Sequence, residues 1–314
     1  MTTNTQNIWH SGELTVQARA GVEEKMADLG PRLIRDYMPD QHREFFASLP
    51  MVIVGGEDKH SHLWASPLFG NPGFIRSPSP QRLTIDTSGS HSDTILPHLH
   101  INCQVGLLGI DLETRRRNRL NGIVVKRDQH QVAIDVQQSF GNCPQYIQQR
   151  RLQAKPREGK PSSECFNNWS SKLHEFIIRA DTCFIASAYS SERADKSSGM
   201  DVSHRGGRPG FINFDDHHRL IIPDYPGNSF FNTIGNLTVD PRAGLLFLDF
   251  SGGNIISLTM TAEVIWKTED PTLCTDQDRV IRLSLKGGYV IGNALPYRWE
   301  SIGNAVRASS TISR

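Results

Sequence analysis

The sequence predicts a mainly β chain of the α+β class, in which one small β unit occurs twice and helices flank the two copies. Short runs of Val, Ile, Leu and Phe are separated by Gly, Pro, Asn and Asp. That spacing is typical of small barrels and sandwiches. The chain has 314 residues, enough for two ordinary cores. The third observation is an internal repeat.

The repeat consists of three blocks that occur in the same order. WASPLFGNPGF at 64–74 aligns with DVSHRGGRPGF at 201–211, and Phe74 and Phe211 set the offset at 137. RLTI at 82–85 matches RLII at 219–222 at the same offset, and VGLLGIDL at 105–112 matches AGLLFLDF at 243–250 at 138. Ordered blocks with a single slip indicate two copies of one unit. We therefore predict an N-terminal helical segment with the first copy over 1–153, a linker over 154–166, and the second copy over 167–314.

The predicted elements follow in chain order. A helix is predicted over Val22–Tyr37, because Met26, Leu29 and Leu33 lie at helical spacing and Pro39 follows. The predicted strands of the first copy are Met51–Gly55, His62–Ser66, Arg82–Asp86, Cys103–Leu112, Leu120–Arg127 and Gln131–Gln137. Those of the second copy are Thr182–Tyr189, Met200–Arg205, Arg219–Pro223, Ala243–Phe250 and Asn254–Trp266. Further helices are predicted over Cys143–Leu152, Asn168–Ala180 and Ser229–Val239.

Charge and cysteine content argue against several classes of protein. The 34 Lys and Arg nearly balance the 33 Asp and Glu, whereas nucleic-acid binders usually carry a basic excess. Apolar runs are too short to span a membrane and Met1–His10 has no signal-peptide pattern, so we expect a cytoplasmic protein. The five cysteines lack paired spacing and the histidines lack a third ligand, so no disulfide framework, iron–sulfur cluster or metal site is predicted.

Candidate ligand-binding residues lie in the second copy. A strand carries Ser203, His204 and Arg205, Arg208 follows in a glycine-rich turn, and Asn228-Ser229 can cap a helix whose free N–H groups suit a phosphate. The alternative is a surface hairpin with solvated arginines. At the matching positions the first copy has Ser66-Pro67-Leu68. Loss of the basic groups from one copy favours a ligand site in the other.

These residues also carry a family resemblance. SHRGGRPGF (203–211), IPDYPGNSFFNTIGNL (222–237) and DPRAGLLFLDF (240–250) resemble the flavin-binding half of pyridoxamine 5'-phosphate oxidase-related proteins. Upstream, 9–22, 34–50, 113–122 and 139–150 resemble a tandem-barrel branch of that superfamily, sometimes fused to ferredoxin-reductase-like modules. The resemblance implies two tandem six-stranded antiparallel split β-barrels with FMN in a cleft between them, so that one chain forms an internal pseudo-dimer; whether two chains form a homodimer stays open.

The resemblance also implies the site residues. The second copy would hold most of the FMN site, through Ser203, His204, Arg205, Arg208, Asp224, Tyr225, Asn228, Ser229, Phe231, Asn232 and Asn236. The substrate-binding residues of pyridoxamine 5'-phosphate oxidase itself are not matched, so its substrate is not carried over. Arg115, Arg116, Arg117 and Arg119 form a basic hairpin in the first copy, where the second copy has Ser251-Gly252-Gly253-Asn254. This hairpin either reaches an anion across the interface or forms a solvated turn. Asn142, Gln145 and Tyr146 either face the cleft or cap the helix predicted there.

The implied function is that of an FMN-dependent oxidoreductase that transfers hydride or electrons to or from a small-molecule substrate. Because the sequence has no cluster cysteines, electrons would come from a separate reductase, from NAD(P)H or from the substrate itself. His204 is the candidate for proton transfer because histidine titrates near neutral pH. The alternative is a non-catalytic carrier of flavin, deazaflavin or haem on the same barrel. A third hypothesis makes the first copy purely structural, so that Arg115–Arg117 do not affect flavin binding.

Overall fold

The computed structural model describes residues 8–89, 95–156, 160–190, 197–274 and 277–302, with the backbone alone at 154–156. Five helices are present in these ranges: α1 (Ser11–Arg19), α2 (Glu23–Leu33), α3 (Asp40–Ser48), α4 (Ser171–Arg179) and α5 (Asn232–Val239). None of them is long and apolar enough to cross a bilayer.

The strands form two large antiparallel sheets. The first sheet contains β1 (Met51–Glu57), β2 (Leu63–Phe69), β3 (Ile75–Ser79), β4 (Arg82–Asp86), β5 (Gln104–Asp111), β6 (Arg116–Arg127) and β7 (Gln131–Gly141). After β8 (Arg150–Pro156), the second sheet contains β9 (Ser162–Phe166), β10 (Thr182–Tyr189), β11 (Gly199–Gly206), β12 (Asn213–Phe214), β13 (Leu220–Pro223), β14 (Arg242–Leu248), β15 (Ile255–Trp266) and β16 (Arg279–Gly292). The last strand, β17 (Tyr297–Ser301), pairs with β8.

The two sheets have the same strand order. The first runs β2-β1-β5-β6-β7-β4-β3, and the second runs β11-β10-β14-β15-β16-β13-β12 with β9 added beside β16. Each path has seven strands, and three members have no counterpart among the predicted strands: the short β3 and β12, and the long β16. The mainly β, antiparallel α+β class is thus confirmed, and the described strands form paths whose two ends do not pair.

Alternation along the central strands explains their continuous apolar runs. In β1, Val52 and Val54 enter the core of the first sheet, whereas Met51 and Ile53 face a layer shared with the second sheet. Phe184 of β10 enters the shared layer from the other side. Successive strand residues point to opposite faces, so a strand covered on both faces needs apolar residues throughout. This shared layer joins the sheets and places β6 against β11.

Two predicted elements differ from the structure. The helix predicted over Cys143–Leu152 is wrong: Tyr146 has φ +64°, Ile147 is buried in the shared layer, and Arg150 begins β8. A helix would need its backbone carbonyls for its own hydrogen bonds, but here the Cys143 carbonyl accepts from Arg117 Nε of β6 at 2.8 Å. Helix α2 ends four residues before the predicted Tyr37 because Arg35 pairs with Ser139 of β7. Within the predicted linker, 162–166 form β9.

Candidate functional site

One cavity gathers most of the predicted site residues. It is partly open to solvent and lies where β6 and residues 142–146 meet β11 and the start of α5. The predicted residues of the second copy that line it are Ser203, His204, Arg205, Asp224, Tyr225, Asn228, Ser229, Phe231 and Asn232. From the first copy, Arg117 and Arg119 of the basic hairpin line it, as do the candidates Asn142, Gln145 and Tyr146, together with Cys143. The cavity therefore combines residues from both sequence repeats.

The remaining predicted residues lie elsewhere. Arg208 is exposed in the turn after β11, and Arg115 is exposed at the β5–β6 turn. Arg116 donates to the Gln41 carbonyl at 2.8 Å and stacks over Phe45. Because strand residues alternate in direction, Arg116 points away from the face that carries Arg117 and Arg119.

Asn236 is buried behind the cavity wall rather than in it. Its Nδ2 donates to Ser187 Oγ at 3.0 Å, and its Oδ1 lies 2.8 Å from His10 Nε2. These contacts use both ends of the amide. In this structure Asn236 joins α5 to β10 and to the residue that precedes α1.

Arg119 is the centre of a buried polar cluster. Its Nη1 donates to Asp201 Oδ2 at 2.8 Å and to Asn232 Oδ1 at 2.9 Å, and its Nη2 donates to Ser203 Oγ. Ser203 Oγ also lies 2.6 Å from Thr233 Oγ1. Asp201 and Ser203 are two residues apart on β11 and so share a face. The cluster holds β6, β11 and α5 together at the cavity wall.

Asp224 joins two further arginines. It accepts from Arg205 Nη1 through one oxygen and from Arg279 Nε at 2.6 Å through the other. Arg279 also stacks between Phe231 and Trp266. Since Asp224 is the first residue after β13, this bridge fixes the start of the following loop, the β13 loop, over the strand that carries Arg205.

The cavity region carries an excess of positive charge. Three guanidinium groups line it, those of Arg117, Arg119 and Arg205, and Asp224 is the one carboxylate among the lining residues. Burial, and then repulsion from Arg119, lower the pKa of Arg117 to about 10. At neutral pH Arg117 therefore remains charged, and a buried excess of this kind is relieved by an anionic ligand.

Four buried donors of the cavity residues have no hydrogen-bond partner among the described residues. They are Arg119 Nε, Arg205 Nε, Asn142 Nδ2 and His204 Nε2. Buried polar groups are nearly always hydrogen-bonded in folded proteins. Orphaned donors from both sequence repeats, beside an excess of cations, are the arrangement expected of a site for an oxygen-rich anion.

His204 lies on the opposite face of β11 from Ser203 and Arg205. Its ring meets Phe184, its cross-strand partner, in the layer between the sheets, and its Nδ1 accepts from Arg117 Nη1 at 3.2 Å. Burial, followed by Arg117, Arg150 and Arg205, holds the pKa of His204 well below its usual value. The imidazole is therefore neutral near pH 7 and orients Arg117.

The mouth of the cavity is bordered by a pair of tyrosines. Tyr146 and Tyr225 stack with ring centroids 5.0 Å apart and an interplanar angle of 19°. Close by, Asn228 Nδ2 donates to Asn142 Oδ1 at 3.3 Å. Both pairs join the segment after β7 to the β13 loop, so each contact spans the two sequence repeats.

The predicted cap at Asn228-Ser229 is wrong. Helix α5 begins at Asn232, and its N-cap is Phe231, which has φ +61° and makes no side-chain cap bond. Ser229 also has a positive φ, of +63°. Because of these two left-handed residues, the helix begins three residues after the predicted start. Asn228 Oδ1 does not cap the helix but accepts from the backbone N–H of Phe230 at 3.2 Å.

Several residues of the site were absent from the predicted set. Asp201 lies two positions from Ser203 on β11, so the two-residue period of a strand would have placed it on the same face. Glu13 on α1 accepts from Asn232 Nδ2 at 2.5 Å, and Arg279 on β16 holds Asp224. The last two come from distant segments, and no local pattern marks them.

No protein-family model matches the chain, and no curated protein matches it. Among solved structures, HupZ of Group A Streptococcus matches at 11% identity and a TM-score of 0.25, over 39% of this chain and 92% of HupZ. An FAD-binding protein of Mesorhizobium loti matches at 9% identity and a TM-score of 0.25, over 41% of this chain and 98% of that protein. A candidate pyridoxamine 5'-phosphate oxidase of Corynebacterium glutamicum matches at 14% identity and a TM-score of 0.25, over 47% of this chain and 100% of that protein. At such TM-scores, function has to be argued from the chain's own residues.

Proposed function

We propose that this chain binds FMN in the cavity between its two sheets and acts as an FMN-dependent oxidoreductase on a small molecule. One observation carries the proposal. The segments that resemble flavin-binding sequences, 203–211 and 222–237, border the same cavity as the arginines of β6, and the region carries a buried excess of positive charge.

The residues present fit the phosphate of FMN. Arg119 and Arg205 each keep a buried Nε without a described partner, and Asn142 keeps a buried amide donor. Guanidinium groups bind phosphate oxygens through short, charge-assisted hydrogen bonds. A dianionic phosphate would also balance the excess of two cations over carboxylates among the lining residues.

The chain's own groups bind and orient rather than supply the redox chemistry. FMN, when bound, supplies hydride or electron transfer. Arg117, Arg119 and Arg205 would hold the anionic end, while Asp201 fixes the direction of Arg119 and Asp224 that of Arg205. His204 accepts from Arg117 and, being neutral, has no second proton to donate near pH 7. The stacked Tyr146 and Tyr225 would border the entry of the substrate, and NAD(P)H or a separate reductase would provide electrons.

The test is the absorbance spectrum of the purified protein, with mass identification of the released ligand. Flavin bands with the mass of FMN, bleached by a reductant and restored in air with formation of a product, are the expected result. A protein that stays colourless after incubation with FMN contradicts the proposal. Bound flavin that neither reductant nor air affects, or the mass of a deazaflavin or haem, would instead indicate a carrier.

A further inference from the structure

A second pocket adjoins the cavity described above and shares the β13 loop with it. It lies between the end of α1, the end of β15 and the start of β16, and we call it the Arg279 pocket. Arg205 lines the first space and Arg279 lines the second. The loop residues that border both are Asp224, Pro226, Gly227, Ser229 and Phe231.

The guanidinium of Arg279 is buried and held in place, but only one of its nitrogens is bonded. Its side chain is 7% exposed, and its Cζ lies 4.5 Å from the ring centroid of Phe231 and 5.0 Å from that of Trp266. Nε donates to Asp224 Oδ2 at 2.6 Å, whereas Nη1 and Nη2 donate to no described residue. Buried polar groups are nearly always hydrogen-bonded, so the Nη edge is available to a ligand in the pocket.

Arg242 shows how a purely structural arginine is bonded in the same chain. Its Nε and Nη2 donate to Asp240 at 3.0 and 2.6 Å, and its Nη1 donates to the Ser61 carbonyl at 2.9 Å. All three nitrogens therefore have protein acceptors, although the side chain is 35% exposed. Arg279 is more deeply buried and uses one nitrogen, so its bridge to Asp224 does not account for the rest of the group.

Positive charge exceeds negative charge around the Arg279 pocket. Its charged lining residues are three cations and two carboxylates: Arg19, Lys267, Arg279, Asp224 and Asp278. Asp224 is in addition shared with Arg205, so it does not neutralise both of the guanidiniums that it bridges. An incompletely compensated buried cation is stabilised by an anion.

A second guanidinium and a hydroxyl group extend the donor set. Arg19 lies over Trp266, with Cζ 4.1 Å from the ring centroid. Its Nη2 donates to Glu269 at 2.9 Å and to Thr268 Oγ1 at 3.1 Å. Because Thr268 accepts this bond, its own hydroxyl proton remains for a ligand. A phosphate accepts from several directions, whereas a carboxylate accepts mainly in one plane, so donors on separate elements favour a phosphate.

We propose that the Arg279 pocket is a second ligand site, which binds a phosphate group other than that of FMN. The Nη edge of Arg279 donates to the phosphate oxygens, and the Thr268 hydroxyl and Arg19 lie at the same pocket. Because Asp224 and two aromatic rings already fix the guanidinium, binding costs little side-chain entropy. The inference goes beyond the proposed function and does not depend on it. The phosphate belongs either to a separate compound or to the outer half of a flavin dinucleotide whose FMN half fills the neighbouring cavity.

Titrations with FAD and FMN distinguish these two sources. For a dinucleotide, FAD binds the wild type about tenfold more tightly than FMN, Arg279→Gln removes the difference, and bound FAD excludes inorganic phosphate. For a separate compound, FAD and FMN bind equally well and inorganic phosphate binds beside either of them.

Tungstate, a heavy tetrahedral oxyanion, tests the location of the site directly. Crystals of the wild type, grown without phosphate or sulfate and soaked in tungstate, should show an anomalous peak within hydrogen-bond distance of Arg279 Nη1 and Nη2. A structure with tungstate beside Arg205 alone, or with none, overturns the inference. This measurement needs neither a variant nor FMN.

Calorimetric titration with inorganic phosphate measures the contribution of Arg279. The protein is first saturated with FMN, so that the neighbouring cavity is filled. We expect Arg279→Gln to weaken phosphate binding by about tenfold or more, the value of a charge-assisted hydrogen bond. The control Arg282→Gln lies on the same strand, where its side chain pairs with Glu263, and should bind phosphate like the wild type.

Unchanged phosphate affinity in a folded Arg279→Gln protein overturns the inference. Failure of the proposed function is visible separately, because the wild type then takes up no FMN before phosphate is added. The tungstate peak beside Arg279 is expected in that case as well, and its absence would overturn the inference on its own.

Discussion

Burial determines how much two otherwise similar arginine–aspartate contacts contribute to the free energy of unfolding. Arg119 and Asp201 lie 2.8 Å apart with side chains 10% and 4% exposed, whereas Arg82 and Asp135 lie 2.7 Å apart with 47% and 39% exposed. Arg119→Ala leaves Asp201 buried without its cation, so we expect a loss of about 3–5 kcal/mol in the free energy of unfolding. Arg82→Ala should cost less than about 1 kcal/mol. Denaturant unfolding of both variants measures this, and equal losses would contradict the assigned role of burial.

Residues of the site differ in how far they could be predicted. Arg205 and Asp224 could be predicted because each lies in a short segment, 203–211 or 222–237, that borders the cavity. His204 belongs to the same motif, but strand alternation turns its ring towards Phe184. Glu13 could not be predicted, because its role depends on α1 packing against α5, a contact between segments more than 200 residues apart.

At the scale of elements, two glycines let α1 cross α5 closely. A Cβ added to Gly235 would lie 2.7 Å from the Cα and Cγ of Glu13, and one added to Gly12 would lie 2.2 Å from the Gly235 carbonyl oxygen. Alanine normally favours a helix over glycine by about 1 kcal/mol. We nevertheless expect Gly235→Ala to destabilise the protein, by about 1–3 kcal/mol, because backbone atoms must move. It should also weaken FMN binding through Asn232.

The matched control is Gly199→Ala at the start of β11, where nothing lies within 4 Å of the added Cβ. Thermal unfolding and FMN titration of both variants measure the difference. A Gly235→Ala protein as stable as Gly199→Ala would show that the close crossing of α1 and α5 is not needed.

Among the elements, strands were more predictable than loops and N-terminal helices. Thr182–Tyr189 and Arg82–Asp86 have the predicted bounds, because apolar residues bounded by turn residues mark a strand locally. The segment Cys143–Leu152 failed because its contacts are tertiary: Gln148 Nε2 donates to the Gly207 carbonyl at 2.9 Å, and Leu152 pairs with Trp299. Helices α1 and α3 were not predicted, and neither was β16.

At the scale of the whole molecule, the two sheets share one strand order but carry different residues at equivalent positions. Arg119 pairs with Leu108 in the first sheet, and Ser257 pairs with Leu246 at the equivalent place in the second. Arg205 likewise corresponds to Leu68 at the repeat offset of 137. The equivalent positions therefore lack both guanidiniums. The repeat predicted this asymmetry for Arg205 and for the basic hairpin, and the strand register identifies Ser257 as the residue equivalent to Arg119.

The central claim is that residues from both sequence repeats bind one FMN. The most direct measurement is the FMN dissociation constant of Arg117→Ala, from the first repeat, and Arg205→Ala, from the second, with Arg116→Ala as the control. We expect both cavity variants to weaken binding by about tenfold to a hundredfold, the value of one charge-assisted hydrogen bond. Asp224 keeps Arg279 in the Arg205 variant, and Arg116 stacks on Phe45 away from the cavity. Wild-type affinity in Arg117→Ala, with weakened binding in Arg205→Ala alone, would contradict the claim and leave the first repeat a purely structural partner.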